Sequence, residues 1–491
     1  MGNDTLIFKV IKSMTMNEKR YFKISCNQHT IGSQNKYVLL FELIDGSKNF
    51  DKESIRKALK EKKYATNYLS SDLNYLLKMI MKGLNDFHSE KTCDLKIKQN
   101  LISIEILFYK GLYKESLYLI SKTKRIKLAN ESQYLMLELL NWEKKCLGYS
   151  KGLLQAIEVN DKLGIYFDSI QEAKIISDLY YKSYSYKNSV GKVAQKTVEF
   201  DFEELIKSEA LGSLSNQATI HTTIYYNLIF CNYYHVKNDK INELEYLRKA
   251  IVLFDENEIY KFENPLDYIS VYIRIIDIKK RNESQLFYQD LNSLRAFKTM
   301  INLQSEVANE RVFLHTSQAE LEHLLNFDKL DEALLIIGKI QETIVVAKYN
   351  IEPYYMISLY YLFASIHCAN GNFSTGLKYI NIILNEYKFS DRPNTFIKSE
   401  FLNVVIHYEL KNHNLVLKNC LDIIKKYKTN FKFSYFERQI LTTIKNISEN
   451  PHIVNERAEF GKIKNKIQLK FPEVNSLLHN NYMKYILKKA K

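Results

Sequence analysis

Proline and glycine are scarce in this chain of 491 residues, at 5 and 14. Tight β-turns draw on both, so an all-β fold is disfavoured and long helices with short joints are favoured. Long apolar runs are missing too. No stretch reaches about 18 uninterrupted apolar residues, so no membrane span is expected. Cysteine pairs are also absent: Cys26, Cys93, Cys146, Cys231, Cys368 and Cys420 lie tens of residues apart without a C-x-x-C. They read as small core residues of a reducing compartment rather than as disulfides or metal ligands. Arginine supplies only 11 of the 70 basic residues, and lysine lacks the planar fork that reads guanine, so base-specific recognition has weak support.

Catalytic patterns are equally thin. The eleven histidines contain no H-E-x-x-H, and His315 and His323, eight apart on one possible helix face, have no third ligand fixed beside them. There is no G-x-S-x-G and no glycine-rich dinucleotide loop. The expectation is a chain without catalysis, metal or cofactor. The start, "MGNDTLIFKVIKSM", has charges on both sides of a short apolar piece and no small-residue cleavage site, and Leu6 stands where a myristoylation motif wants Ser or Thr. A soluble cytoplasmic protein is expected.

What is present is an apolar fraction of 46% and a charged fraction of 26%, enough to bury a core and to argue against general disorder. The formal charge of +14 is uneven: residues 1–92 hold 16 basic and 10 acidic residues, and residues 461–491 hold 8 and 1. The ends therefore carry nearly all the excess, so attraction to an acidic partner belongs to them.

The stretch "CANGNFSTGLKYINIIL" has two glycines, Gly371 and Gly376, with four residues between them. A phosphate loop would place lysine next, but Leu377 follows, and the flanking apolar residues keep helical rather than strand spacing. It reads as a turn between two amphipathic helices, with Gly371 as left-handed cap and Gly376 at the close approach. The arrangement returns in "FYKGLYKESLYLI", with Gly111 and Ser116, and in "LNFDKLDEALLIIGKI", with Asp328 and Ala333. Weaker copies centre on Leu244 and Leu417. Ala333, Gly376 and Leu417 stand 43 and 41 residues apart, and Ser116, Leu244 and Ala333 stand 128 and 89 apart, so the period is about 43.

"GLYKESL", "GNFSTGL" and "FDKLDEAL" resemble the core of the tetratricopeptide repeat, over roughly residues 95–445. The family's repeat is about 34 residues long, so each helix here would be longer by roughly a turn, and the helix-closing proline is missing. The resemblance implies a right-handed α-solenoid of antiparallel helix hairpins, seven or eight of them over 93–450. By that pattern the groove-facing positions are Glu105 and Tyr109, Gln318 and Glu322, and Tyr361 and Ser365. The 36 tyrosines serve both packing and such a groove.

Residues 1–92 read as a basic module of five helices, with Asn17 and Asp51 as N-caps. Its last three helices would suit a helix-turn-helix, with Lys57, Lys60, Lys62, Lys63, Lys78 and Lys82 facing phosphates or an acidic partner, or simply solvent. Residues 451–491 read as basic capping helices, with Pro472 in the first turn of the last. The segments "SMTMNEKRYFKIS", "KYVLLFELID" and "EILFYKGLYKESLYLI" make the layout similar to a family of cytoplasmic helical proteins of Bacteroidota, which implies no known activity. The resulting expectation is a scaffold that holds a peptide or helix of a partner protein in its groove. The alternative is a DNA-binding regulator with the array as sensor.

Overall fold

The computed structural model describes residues 3–27, 35–126, 133–189, 195–212, 214–215, 218–280, 285–301, 306–347, 351–426, 435–470 and 481–490. All regular elements among them are helical, as the scarcity of proline and glycine leads one to expect. No helix among the described residues is long and apolar enough to cross a membrane. Pro472 lies outside the described residues. The chain divides into two units, Met1–Asp178 with Ser213–Thr222, and Leu179–Gly212 with Thr223–Lys491.

The first unit opens with α1 (Asn3–Ser13), α2 (Met16–Asn27), α3 (Lys36–Gly46), α4 (Lys52–Glu61) and α5 (Leu69–His88). They close on one core that includes Ile7, Ile11, Phe22, Leu40, Phe41, Leu76 and Ile80. Asp51 caps α4 as expected, its side chain accepting the Glu53 N–H. Asn17 does not cap α2. Thr15 does: Thr15 Oγ1 accepts the Glu18 N–H at 3.3 Å, and Glu18 Oε2 takes the Thr15 N–H at 2.7 Å. This reciprocal pair needs an acid three residues on, which Thr15 has and Asn17, followed by Arg20, has not. Thr92 caps α6 (Cys93–Tyr109) by accepting the Leu95 N–H. Next come α7 (Tyr113–Lys124), α8 (Gln133–Ser150) and α9 (Leu153–Ser189), the last with residues in both units.

The second unit continues through α10 (Gln195–Ile206), α11 (Ile220–Val236, its first three residues in the first unit), α12 (Lys240–Glu256), α13 (Glu258–Glu263), α14 (Pro265–Lys279), α15 (Gln285–Ile301), α16 (Glu306–Asn326), α17 (Leu330–Ala347), α18 (Pro353–Ala369), α19 (Phe373–Glu386), α20 (Pro393–Glu409), α21 (His413–Lys426), α22 (Tyr435–Glu449), α23 (Glu456–Lys470) and α24 (Asn481–Lys489). From α14 to α23 each helix packs on the next. The first helices of the hairpins also meet: α14 touches α16, α16 touches α18, α18 touches α20 and α20 touches α22.

The turns repeat at atomic detail. Gly111, Asn238, Asp328, Gly371 and Lys411 all have positive φ, between 57° and 82°. At each, the next N–H reaches back five residues: Leu112 to Leu107 O, Asp239 to Tyr234 O, Lys329 to Leu324 O, Asn372 to His367 O and Asn412 to His407 O. This is the six-to-one bond that closes a helix over a left-handed residue. Five residues on stands Ser116, Glu243, Ala333, Gly376 or Val416, each buried against the first helix of its hairpin. The two weaker copies are therefore centred one residue earlier than Leu244 and Leu417. Without a glycine to mark the left-handed position, the register of those turns is not written in the residue types. Gly376 shows why small side chains recur: a Cβ there would lie 2.6 Å from Cys368 Sγ and 3.2 Å from Ala364 O.

The last helix ties the end of the second unit together. Ile486 is fully buried, Tyr485 donates to Glu409 at 2.6 Å, and Lys489 meets Glu409 and Glu456 at 2.8 Å. Lys484 reaches further, to Asn326 O at 2.7 Å and Asp328 Oδ1 at 2.9 Å in the turn after α16. α24 thus packs on the last hairpin and also clasps the turn between α16 and α17.

Candidate partner-binding face

Polar side chains on the first helices of the second unit touch from one hairpin to the next. Near its C-terminus, α9 offers Ser183, whose Oγ accepts Asn232 Nδ2 of α11 at 2.9 Å. Arg274 of α14 donates to Asn232 Oδ1 at 2.9 Å and to Cys231 Sγ at 2.8 Å. Nearly two turns on, Lys280 pairs with Glu322 of α16 at 2.5 Å and with Asp277 at 2.8 Å. At the other end of α16, Arg311 lies over the Tyr355 ring at 4.4 Å, and Arg392, at the start of α20, lies over Tyr354 at 3.9 Å. A row of polar contacts therefore links α9, α11, α14 and α16, and cation–π contacts continue it to α18 and α20.

Beneath this row sits a buried carboxylate. Glu243 occupies the position that is Ser116, Ala333, Gly376 or Val416 in the other hairpins and is 2% exposed. Burial opposes its ionisation. Hydrogen bonds from His235 and Lys240, both at 2.8 Å, outweigh burial and hold the carboxyl below its usual range. The same burial acts on nearby cations. It draws the Lys187 ammonium down to about 8, with Arg274 adding repulsion, and His315 down to about 4, with Arg311, Arg392 and Lys280 opposing protonation. Arg274 Nε is buried with no partner among the described residues. Such a row is costly for packing alone, because each polar group gives up water.

The sequence-derived positions fall as follows. Gln318 and Glu322 are half-buried on α16, and Gln318 donates to Glu322 at 2.7 Å. Tyr361 and Ser365 are half-buried on α18, where Ser365 donates to Tyr361 O at 2.8 Å. Glu322 belongs to the row through Lys280. Glu105 and Tyr109 are exposed on α6 of the first unit, with Tyr109 at 75%. Lys57, Lys60, Lys62, Lys63, Lys78 and Lys82 are all exposed. Sequence reasoning missed Ser183, Lys187, Asn232, Glu243, Arg274, Lys280, Arg311 and Arg392. One signal was available: a glutamate at the small-residue position of a repeat, five residues after Asn238.

The remaining polar candidates are packing groups. His323 stacks on Phe287 at 4.2 Å and donates to Lys280 O at 2.9 Å, and His315 meets Tyr355 edge-on at 5.5 Å. Among the described residues no three His, Cys, Asp or Glu side chains stand where they could share a metal ion. None of the six cysteines forms a disulfide. Burial raises the thiols of Cys26, Cys231 and Cys420 to about 11 and that of Cys368 to about 12, which keeps them protonated and poorly nucleophilic. No protein-family model, curated protein or solved structure matches the chain.

Proposed function

We propose that the chain is a non-catalytic scaffold, a right-handed row of tetratricopeptide-like hairpins whose first helices receive a peptide or helix of a partner protein. The observation that carries this reading is the row of polar and aromatic side chains over successive first helices, fully buried at Ser183 and Asn232 and half-buried from Arg274 to Arg392. Tyrosine and arginine give large contact area and directional bonds with few rotors left to freeze, which is the make-up of a recognition face. Charge on the row is nearly balanced: Asp277 and Glu322 both serve Lys280, and Glu310 stands near Arg311 and Glu352. A segment of mixed charge and aromatic character suits it better than a strongly acidic one.

The test compares what full-length protein and its variants retain from native lysate. Gln318→Ala, Tyr354→Ala and Arg311→Ala alter the row without uncovering a buried charge. Reversing Glu322 is a poorer choice, because it would leave Lys280 facing a like charge. Loss of the same retained proteins from all three variants, with helix content unchanged and with Leu335→Ala on exposed α17 surface behaving as the parent, supports the reading. Retention of an identical set by all of them overturns it.

A further inference from the structure

α5 buries Leu69, Leu73, Leu76, Ile80 and Gly83, in steps of four and three. Turned away from that face, Tyr68, Ser71, Tyr75, Lys78 and Lys82 follow the same steps and are all exposed, Tyr68 at 76% and Tyr75 at 51%. Lys62 and Lys63 stand in the turn that leads into the helix. None of these five positions is a carboxylate; Asp72, beside the stripe, is neutralised by Lys36 at 2.6 Å, and Asp86 stands one turn beyond Lys82. None of the four lysines has a carboxylate within 4.0 Å among the described residues. Elsewhere in the module, by contrast, Lys19, Lys23 and Lys36 are paired with Asp45, Glu42 and Asp72.

Two exposed rings set among unpaired ammonium groups fit a partner that is both polyanionic and planar. At a rise of 1.5 Å per residue the rings lie about 10 Å apart along the helix, and Lys82 lies about 20 Å from Tyr68. Tyr75 rests on Tyr37, ring centroids 4.9 Å apart, which fixes it as a platform. Lysine alone neutralises phosphate without reading base edges. Tyrosine stacks on any base, but only on one that is not already stacked in a duplex. We propose that the α5 stripe, with the turn before it, is a sequence-tolerant contact for single-stranded nucleic acid. It stands apart from the first-helix row and does not depend on that reading.

The experiment is fluorescence anisotropy of full-length protein with a labelled oligothymidylate and oligouridylate of fifteen residues, across a salt series. Four phosphate contacts give a slope of log K against log salt of about −3. Tyr68→Ala and Tyr75→Ala each weaken binding about tenfold, while Tyr68→Phe binds as the parent. Lys78→Glu with Lys82→Glu lowers the magnitude of the slope by more than 1 unit, roughly two contacts, and Leu335→Ala changes nothing. Circular dichroism confirms that each variant is folded. Three results overturn the proposal: no binding at low salt, binding indifferent to both tyrosines, or duplex of equal length bound as tightly as the strand. Displacement of the strand by polyglutamate at equal charge would assign the stripe to an acidic protein instead, and so would also overturn it.

Discussion

At the scale of single residues, close packing and burial decide more than chemistry does. Gly376→Ala removes a flexible residue from a helix, worth about 0.5–1 kcal/mol. The new Cβ would stand 2.6 Å from Cys368 Sγ and 3.2 Å from a backbone oxygen of the facing helix. Overpacking of that kind costs about 1–3 kcal/mol and wins, because the carbonyl cannot rotate away. The expected result is weaker hydrogen-exchange protection across α18 and α19, with partial recovery in Gly376→Ala/Cys368→Ala; full protection in the single variant would refute the close approach. His315 supplies a pH effect. Burial lowers its folded value to about 4 from 6.5. Below pH 6.5 the unfolded chain takes the proton first, so stability is complete above that value and is lost as pH falls towards 4, by at most ~3 kcal/mol. Asp277 partly offsets this, and Arg311, Arg392 and Lys280 reinforce it. Opening free energies of α16 and α18 should fall between pH 7 and pH 5 in the parent and fall less in His315→Gln; parallel falls would show that other groups govern the change. The close approach of Gly376 was legible in the sequence, since a glycine five residues after another has few other uses. The burial of His315 was not, because it depends on what α18 and α20 bring over the ring.

Among the elements, helix positions were readable and turn registers only partly so. The five helices of residues 1–92 follow from their apolar spacing, and Asp51 follows from its place before "KESIRKALK". Thr15 was missed because Asn17 is the more conspicuous cap by residue type, whereas the reciprocal bond with Glu18 decides. The turns show the same limit. Gly111 and Gly371 announce a left-handed residue, but "KNDK" and "KNHN" offer several candidates, and the structure uses Asn238 and Lys411. Lys411 at φ 60° has the less suitable side chain, a cost of about 1–2 kcal/mol for an L residue in that region. It gives little back, since its ion pair with Glu456 is a long surface contact at 3.9 Å. Lys411→Gly is therefore expected to leave stability unchanged or raise it by up to ~1 kcal/mol, after the glycine's extra freedom in the unfolded chain is set against the relief. Gly371→Ala, at φ 82°, should lose about 1 kcal/mol. Thermal unfolding of the two variants checks both signs, and equal losses would mean that the turn tolerates any residue.

For the molecule as a whole, the spacing of the left-handed residues is the firmest physical clue. Gly111, Gly152, Asn238, Asp328, Gly371 and Lys411 stand 41, 86, 90, 43 and 40 residues apart. The two double intervals have their midpoints beside 190–194 and within 281–284, outside the described residues. One of these intervals holds α9, a single helix of 37 residues with no turn inside it, so the hairpin pattern is interrupted there. A unit of that length cannot bury both faces of its helices alone, so each hairpin leans on its neighbours, as α14, α16, α18, α20 and α22 do in turn. Stacking of this kind has a measurable consequence that a closed globule lacks. A compact chain of this length has a radius of gyration of about 23 Å. The proposed open row of hairpins requires more, so small-angle scattering from the monomer at several concentrations tests the proposal by whether it gives a clearly larger value. A value near 23 Å would mean that the helices close on themselves, and the first-helix row would then be an internal seam, inaccessible to any partner.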